Sequence, residues 1–159
     1  METLKVIKIG GNIIDDTTSL DNFLVEFSKI EGPKVLVHGG GKLATKLAQQ
    51  MNVKVEMVDG RRKTNAETLD IITMVYAGKI NKSIVASLQK HSCNSIGFTG
   101  ADGNTILSVK RPVKEIDYGF VGDVIHVNTL VLETLLSAHV TPVFCAITHD
   151  NNGQLLNIN

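Results

Sequence analysis

The chain has 159 residues and a mass of 17.2 kDa, with 43% hydrophobic and 20% charged residues, the make-up of one globular domain large enough to bury a core without staples. Sixteen Lys plus Arg balance sixteen Asp plus Glu, which speaks against the basic surplus of a nucleic-acid binder and, with abundant Val, Ile and Leu, against disorder. Two cysteines, Cys93 and Cys145, stand far apart and exclude a disulfide framework or a paired zinc motif.

Short apolar runs alternate with helical patterns along the chain. Leu4 to Ile9 reads as a strand that stops at Gly10-Gly11. Leu20 to Ile30 reads as a helix, with Leu20, Phe23, Leu24 and Phe27 on one stripe and Thr18 or Ser19 as its cap. Lys34 to His38 is a second strand, and Gly39-Gly40-Gly41 leads into a helix from Leu43 to Met51. Asn65 to His91 is the longest helical stretch, capped by Asn65 and interrupted or bent near Gly78. A strand from Ser95 to Thr99 precedes Asp102-Gly103-Asn104, a turn signal that predicts a β-hairpin closing between Phe98 and Ile106. Val121 to Val127 reads as a strand and Asn128 to Ala138 as a helix anchored by Leu130, Leu135 and Leu136. Thr141 to Ile147 is a buried strand, and Gln154 to Asn159 a terminal strand-like run. The expected fold is α/β: a mostly parallel open sheet sandwiched by helices, with an antiparallel β-hairpin insert. No apolar run approaches the ~18 residues of a membrane helix, and Met1-Glu-Thr-Leu has no signal-peptide character. A cytoplasmic protein, with neither membrane nor nucleic acid as partner, is the expectation.

Two glycine clusters each follow a strand and precede a helix. Glycine lets backbone N–H groups approach a ligand closely, and the next helix adds its partial positive charge. Both turns belong at the carboxyl edge of a parallel sheet, where ligands bind. Gly41-Lys42-Leu43 lacks the Ser or Thr of a Walker loop, whereas Gly39-x-Gly41-x-x-Ala44 with Asp59 fits a dinucleotide fingerprint on paper. Lys8 shares a strand face with Leu4 and Val6. In a central strand buried on both sides, that ammonium needs a reason, and the adjacent loop crevice supplies one. Arg61 and Arg62 follow the Asp59-Gly60 turn, and either could clamp a carboxylate in bidentate fashion. Asn157 and Asn159 fall on one face of the last strand and could hold a polar substrate. His38 reads as a structural histidine paired with backbone, and the remaining histidines form no metal-ligand set with the cysteines.

Together, Lys8-Ile-Gly-Gly11, His38-Gly-Gly-Gly41, Asp59-Gly-Arg-Arg-Lys-Thr64 and Leu155-Leu-Asn-Ile-Asn159 resemble the amino-acid kinase superfamily. Within it, the chain is most similar to the N-acetyl-L-glutamate kinases of arginine biosynthesis, from Leu4 to Asn159. The resemblance implies phosphorylation of the side-chain carboxylate of an N-acyl-glutamate by ATP with Mg. By position it implies Lys8 as the catalytic cation on the transferring phosphoryl group and Gly10 and Gly11 as phosphate-binding. It implies Gly40, Gly41, Arg62, Asn157 and Asn159 as substrate-binding, with Arg62 on the α-carboxylate, and no metal ligand in this chain. A glutamate carboxyl, of pKa ~4.3, is ionised at neutral pH and needs no general base.

Members of that family continue past the second Asn and place most of the ATP site in that further half. The expectation is therefore that residues 1–159 are an N-terminal lobe for acyl-glutamate binding and homodimerisation, inactive alone. The three residues before Leu4 leave no room for the extra helix of the arginine-sensitive members, so arginine feedback is not expected. Two other classes compete: a dinucleotide-binding oxidoreductase domain, and a non-catalytic amino-acid-binding sensor.

Overall fold

The computed structural model describes residues 3–158. Strands β1 (Lys5–Ile9) and β2 (Lys34–His38) run parallel, with Lys8 opposite Val37 and Ile9 opposite His38. Between them lie α1 (Gly11–Ile14) and α2 (Thr17–Lys29); α3 (Gly41–Gln50) follows β2. A short antiparallel pair, β3 (Glu56–Val58) and β4 (Arg61–Lys63), precedes α4 (Ala66–Thr73), a π-helical segment (Met74–Ile80) and α5 (Asn81–Lys90). Then come β5 (Ser95–Phe98), β6 (Ile106–Lys110), β7 (Gly122–Val127), α6 (Thr129–Ser137), β8 (Thr141–Cys145), β9 (Ile147–His149) and β10 (Leu155–Asn157). The main sheet has the order β1-β2-β8-β5, parallel throughout. The second has the order β10-β9-β6-β7, with antiparallel β6–β7 and β9–β10 pairs.

Period-two alternation explains why helices cover both faces of the main sheet. Leu36 and Val143 pack with Leu24 and Phe27 of α2 and with Ile84 and Leu88 of α5. Val35, Phe98 and Phe144 point the other way, onto Val131, Leu132, Leu135 and Leu136 of α6. Each fully buried Leu, Ile or Phe contributes roughly 1.5–3 kcal/mol relative to exposure. Lys34, buried at the start of β2, donates from Nζ to the carbonyls of Phe27, Ser28 and Ile30 and so caps the end of α2.

Several expectations are corrected. Among the described residues β1 lies at the edge of the main sheet, with Val6 62% exposed and Lys8 exposed, where a strand buried on both faces was expected. No hairpin closes at Asp102-Gly103-Asn104, because β5 and β6 belong to different sheets. There Asp102 accepts from both Thr99 N and Thr99 Oγ1, and Gly100 donates to Ile147 O, steering the chain from one sheet to the other. The antiparallel insert is instead β6–β7, and a tight hairpin forms at Asp59-Gly60, where both residues have positive φ. Asp16, not Thr18 or Ser19, caps α2 by accepting from Ser19 N. Leu130 is 69% exposed and anchors nothing in the core. The expected strand from Thr141 breaks at Ala146 into β8 and β9, one in each sheet.

Candidate active site

The parallel register of β1 and β2 sets both glycine turns side by side at the carboxyl edge of the main sheet. Gly40 caps α3 at φ +151°, in the region that favours glycine, and a Cβ there would run into Ile80 Cδ1. The first intrahelical bond runs from Ala44 N to Gly40 O, so the amides of Gly41, Lys42 and Leu43 have no partner within the helix. Gly10 caps α1 in the same way, accepting from Ile13 and Ile14. Lys42 ties the two turns together: its Nζ donates to Asn12 Oδ1 at 3.2 Å and lies 3.9 Å from Asp15 Oδ2. Lys8 stands two residues before Gly10, exposed, with no ion pair to another described residue.

Of the two arginines in the hairpin, Arg61 is exposed and Arg62 is 5% exposed. Arg62 Nη2 donates to Gly41 O (3.0 Å) and Thr45 Oγ1 (2.9 Å). Its Nη1 is buried and has no hydrogen-bond partner among the described residues. The Tyr76 phenol sits beside this group. Burial pushes its pKa above the ordinary value, and the positive charge of Arg62 opposes that rise. Burying a guanidinium with an unpartnered NH₂ group is costly unless an anion completes it.

Asn157, 2% exposed, extends the same group. Its Nδ2 donates to Thr64 Oγ1 (3.3 Å), and its backbone N–H to Phe120 O (2.9 Å). Thr64 in turn donates from Oγ1 to Arg62 O and exchanges backbone bonds with Tyr118 and Phe120. A Cβ at Gly119 (φ +73°) would collide with Thr64 O, so glycine is what lets this crossing strand approach. Gly41, Arg62, Thr64 and Asn157 thus form one hydrogen-bonded row drawn from α3, β4, its following loop and β10. Asn159 lies outside the described residues.

His38 is buried, its Nδ1–H donating to Gly39 O (2.8 Å) and its Nε2 accepting from Asn81 Nδ2 (3.0 Å). Burial pushes its pKa down to about 4, so it is neutral at neutral pH with both nitrogens engaged. It is a structural group and not a base. Asp59 lies in the β3–β4 turn at φ +49°, not at the end of a parallel strand, so the dinucleotide fingerprint lacks its ribose-binding acid. Thr64 closes the quoted Asp59–Thr64 motif, whereas Thr45, Tyr76 and Asn81 join the site without having been read as site residues from the sequence. Thr45 alone of these three left a signal, one helical turn after Gly41.

The amino acid kinase family profile matches residues 3–159. The acetylglutamate kinase of Cytophaga hutchinsonii is 56% identical over 160 residues, covering 100% of this chain and 61% of that relative. That of Phocaeicola vulgatus is 54% identical over 158 residues, covering 99% of this chain and 62% of the relative. Among solved structures, the N-acetylglutamate synthase of Neisseria gonorrhoeae, complexed with coenzyme A and N-acetyl-glutamate, superimposes with a TM-score of 0.82 at 19% identity. It is matched over 99% of this chain and 36% of its own, a likeness of fold. The chain therefore spans about three fifths of the curated relatives it matches. With glycine turns, buried arginine and sheet order in agreement with a match over nearly its whole length, the chain belongs to the amino acid kinase family.

Proposed function

We propose that residues 1–159 form the acyl-glutamate-binding and dimerisation lobe of a kinase that phosphorylates the side-chain carboxylate of N-acetyl-L-glutamate, or a related N-acyl-glutamate, in arginine biosynthesis. The observation that carries this reading is Arg62: a buried guanidinium, fixed on Gly41 and Thr45, whose Nη1 has no hydrogen-bond partner among the described residues. The relatives named acetylglutamate kinase support it.

In this reading, Arg62 clamps the substrate α-carboxylate, and Gly40 and Gly41 present amides to the same ligand. Asn157, with Asn159 beyond it in sequence, takes the amide-bearing end. A side-chain carboxylate oxygen attacks the γ-phosphorus of ATP, the bond to the β,γ-bridging oxygen breaks, and ADP leaves with that electron pair. No proton moves, because the nucleophile is already an anion. Catalysis is then positioning and charge compensation, supplied here by Lys8 and the amides of Gly10 and Gly11. Mg²⁺ bound with ATP would withdraw charge from the phosphates and takes most of its ligands from them and from water. ATP as donor, a homodimer and a cytoplasmic location complete the proposal.

Calorimetric titration of the chain with N-acetyl-L-glutamate tests the binding half. A chain extended to the relatives' length, assayed for acyl phosphate and ADP, tests the transfer. Binding without transfer in the extended chain would establish the sensor instead. Binding of NADH with none of acyl-glutamate would establish the oxidoreductase.

A further inference from the structure

Asn81 opens α5 directly after the π-helical segment and is 1% exposed. Its Nδ2 donates twice, to His38 Nε2 at 3.0 Å and to Val143 O at 2.9 Å. Its Oδ1 accepts from Lys82 Nζ at 3.3 Å, and the same ammonium reaches Gly97 O at 3.2 Å. A Cβ at position 97 would collide with Asn81 Oδ1, so the glycine in β5 clears the space that the amide occupies. The Asn81 side chain thereby bonds β2 to β8 behind the triple-glycine turn and packs against β5, to which Lys82 makes the hydrogen bond.

The chemistry of these partners leaves one arrangement. Val143 O can only accept, so the side-chain atom facing it is the NH₂, which fixes the orientation of the amide. That NH₂ also faces His38 Nε2, which must then carry the lone pair. The ring hydrogen therefore sits on Nδ1, where Gly39 O accepts it. The titratable neighbours do not disturb this state. Cys145, opposite His38 on β8, has its thiol pushed up to about 11 by burial and stays neutral, and Lys82 is exposed.

We propose that Asn81 is a positioning residue: it imposes the Nδ1–H tautomer on His38, and through the Gly39 carbonyl holds the turn that presents the Gly40 and Gly41 amides. What those amides bind rests on the proposed function; the tautomer and the turn rest on the hydrogen bonds alone. In a carboxylate, which only accepts, the logic inverts. Asn81→Asp asks for a proton on Nε2 and, with Gly39 O still accepting, favours the imidazolium.

The test is long-range ¹H–¹⁵N spectroscopy of the imidazoles in the labelled chain. Wild type is expected to show a protonated Nδ1 and an unprotonated Nε2 at about pH 7. In Asn81→Asp, Nε2 becomes protonated, the His38 titration midpoint rises by about one pH unit or more beside the new carboxylate, and the Gly40 and Gly41 amide signals move. Affinity for N-acetyl-L-glutamate falls about tenfold, the worth of one misdirected hydrogen bond. An Nε2–H tautomer in wild type overturns the proposal, and that spectrum decides even where the variant fails to fold. A variant that keeps the wild-type tautomer, titration and glycine signals also overturns it. The expected spectra with no acyl-glutamate binding by wild type would uphold this inference while refuting the proposed substrate.

Discussion

At the scale of single residues, charge and hydrogen-bond capacity decide what this site does. His38 titrates near 6.5 when unfolded and is pushed down to about 4 in the fold, so between those values the unfolded chain binds more protons. Stability should therefore rise with pH across that window, by roughly 3 kcal/mol in all, and be flat in this respect above it. Urea unfolding of wild type and His38→Gln at a series of pH values checks this. Parallel curves for the two proteins would refute the buried neutral imidazole. Arg62→Lys keeps the charge and loses the fork that spans Gly41 O and Thr45 Oγ1. Its affinity for N-acetyl-L-glutamate should drop ~10- to 100-fold, equivalent to about 1.5–3 kcal/mol, in calorimetric titration.

Secondary-structure elements carry these residues to their places. Asn65 caps α4 by accepting from Thr68 N at 2.8 Å, and α4 leads into the π-helical segment that sets Tyr76 and Ile80 against Gly40. Asn65→Ala should cost about 1 kcal/mol of stability, read from the urea midpoint. Gly78 lies within the π-helical segment, exposed, and a Cβ there would meet nothing within 4 Å. Gly78→Ala should then stabilise the protein by ~0.5–1 kcal/mol, because it removes unfolded-state freedom without a clash. A destabilised Gly78→Ala would mean that the wide turn itself depends on glycine.

For the molecule as a whole, one sheet aligns two glycine turns, and the second sheet delivers Asn157 to the arginine on the β3–β4 hairpin. Lys8 stands on the exposed side of edge strand β1, and its assigned role is compensation of charge that develops during transfer. In a chain extended to the relatives' length, Lys8→Ala should lower kcat by about 10²–10³ while KM for the acyl-glutamate stays within roughly threefold. Steady-state kinetics measure both, and an unchanged kcat would remove Lys8 from the mechanism.

Local rules were enough for most element types, though not for α1, the β3–β4 pair or the break between β8 and β9. Strand-glycine-helix punctuation marked β1, β2 and α3, and the Asn65 cap with its helical period marked the run from Ala66 to Lys90. The spacing of Lys8, the glycine turns, Arg62 and Asn157 was likewise legible as a family pattern. What the chain could not state locally was which strands are neighbours. Burial of a strand face depends on sheet order, so Lys8 read as enclosed where, among the described residues, β1 lies at the sheet edge. The Asp102–Asn104 turn read as a hairpin where it passes between sheets. The seating of Arg62 on Gly41 and Thr45, the row through Thr64 to Asn157, and the Asn81–His38–Gly39 relay all join residues distant in sequence. Their partners are selected by packing and by the cost of leaving buried polar groups unpaired, and those terms exist only once the tertiary fold has formed.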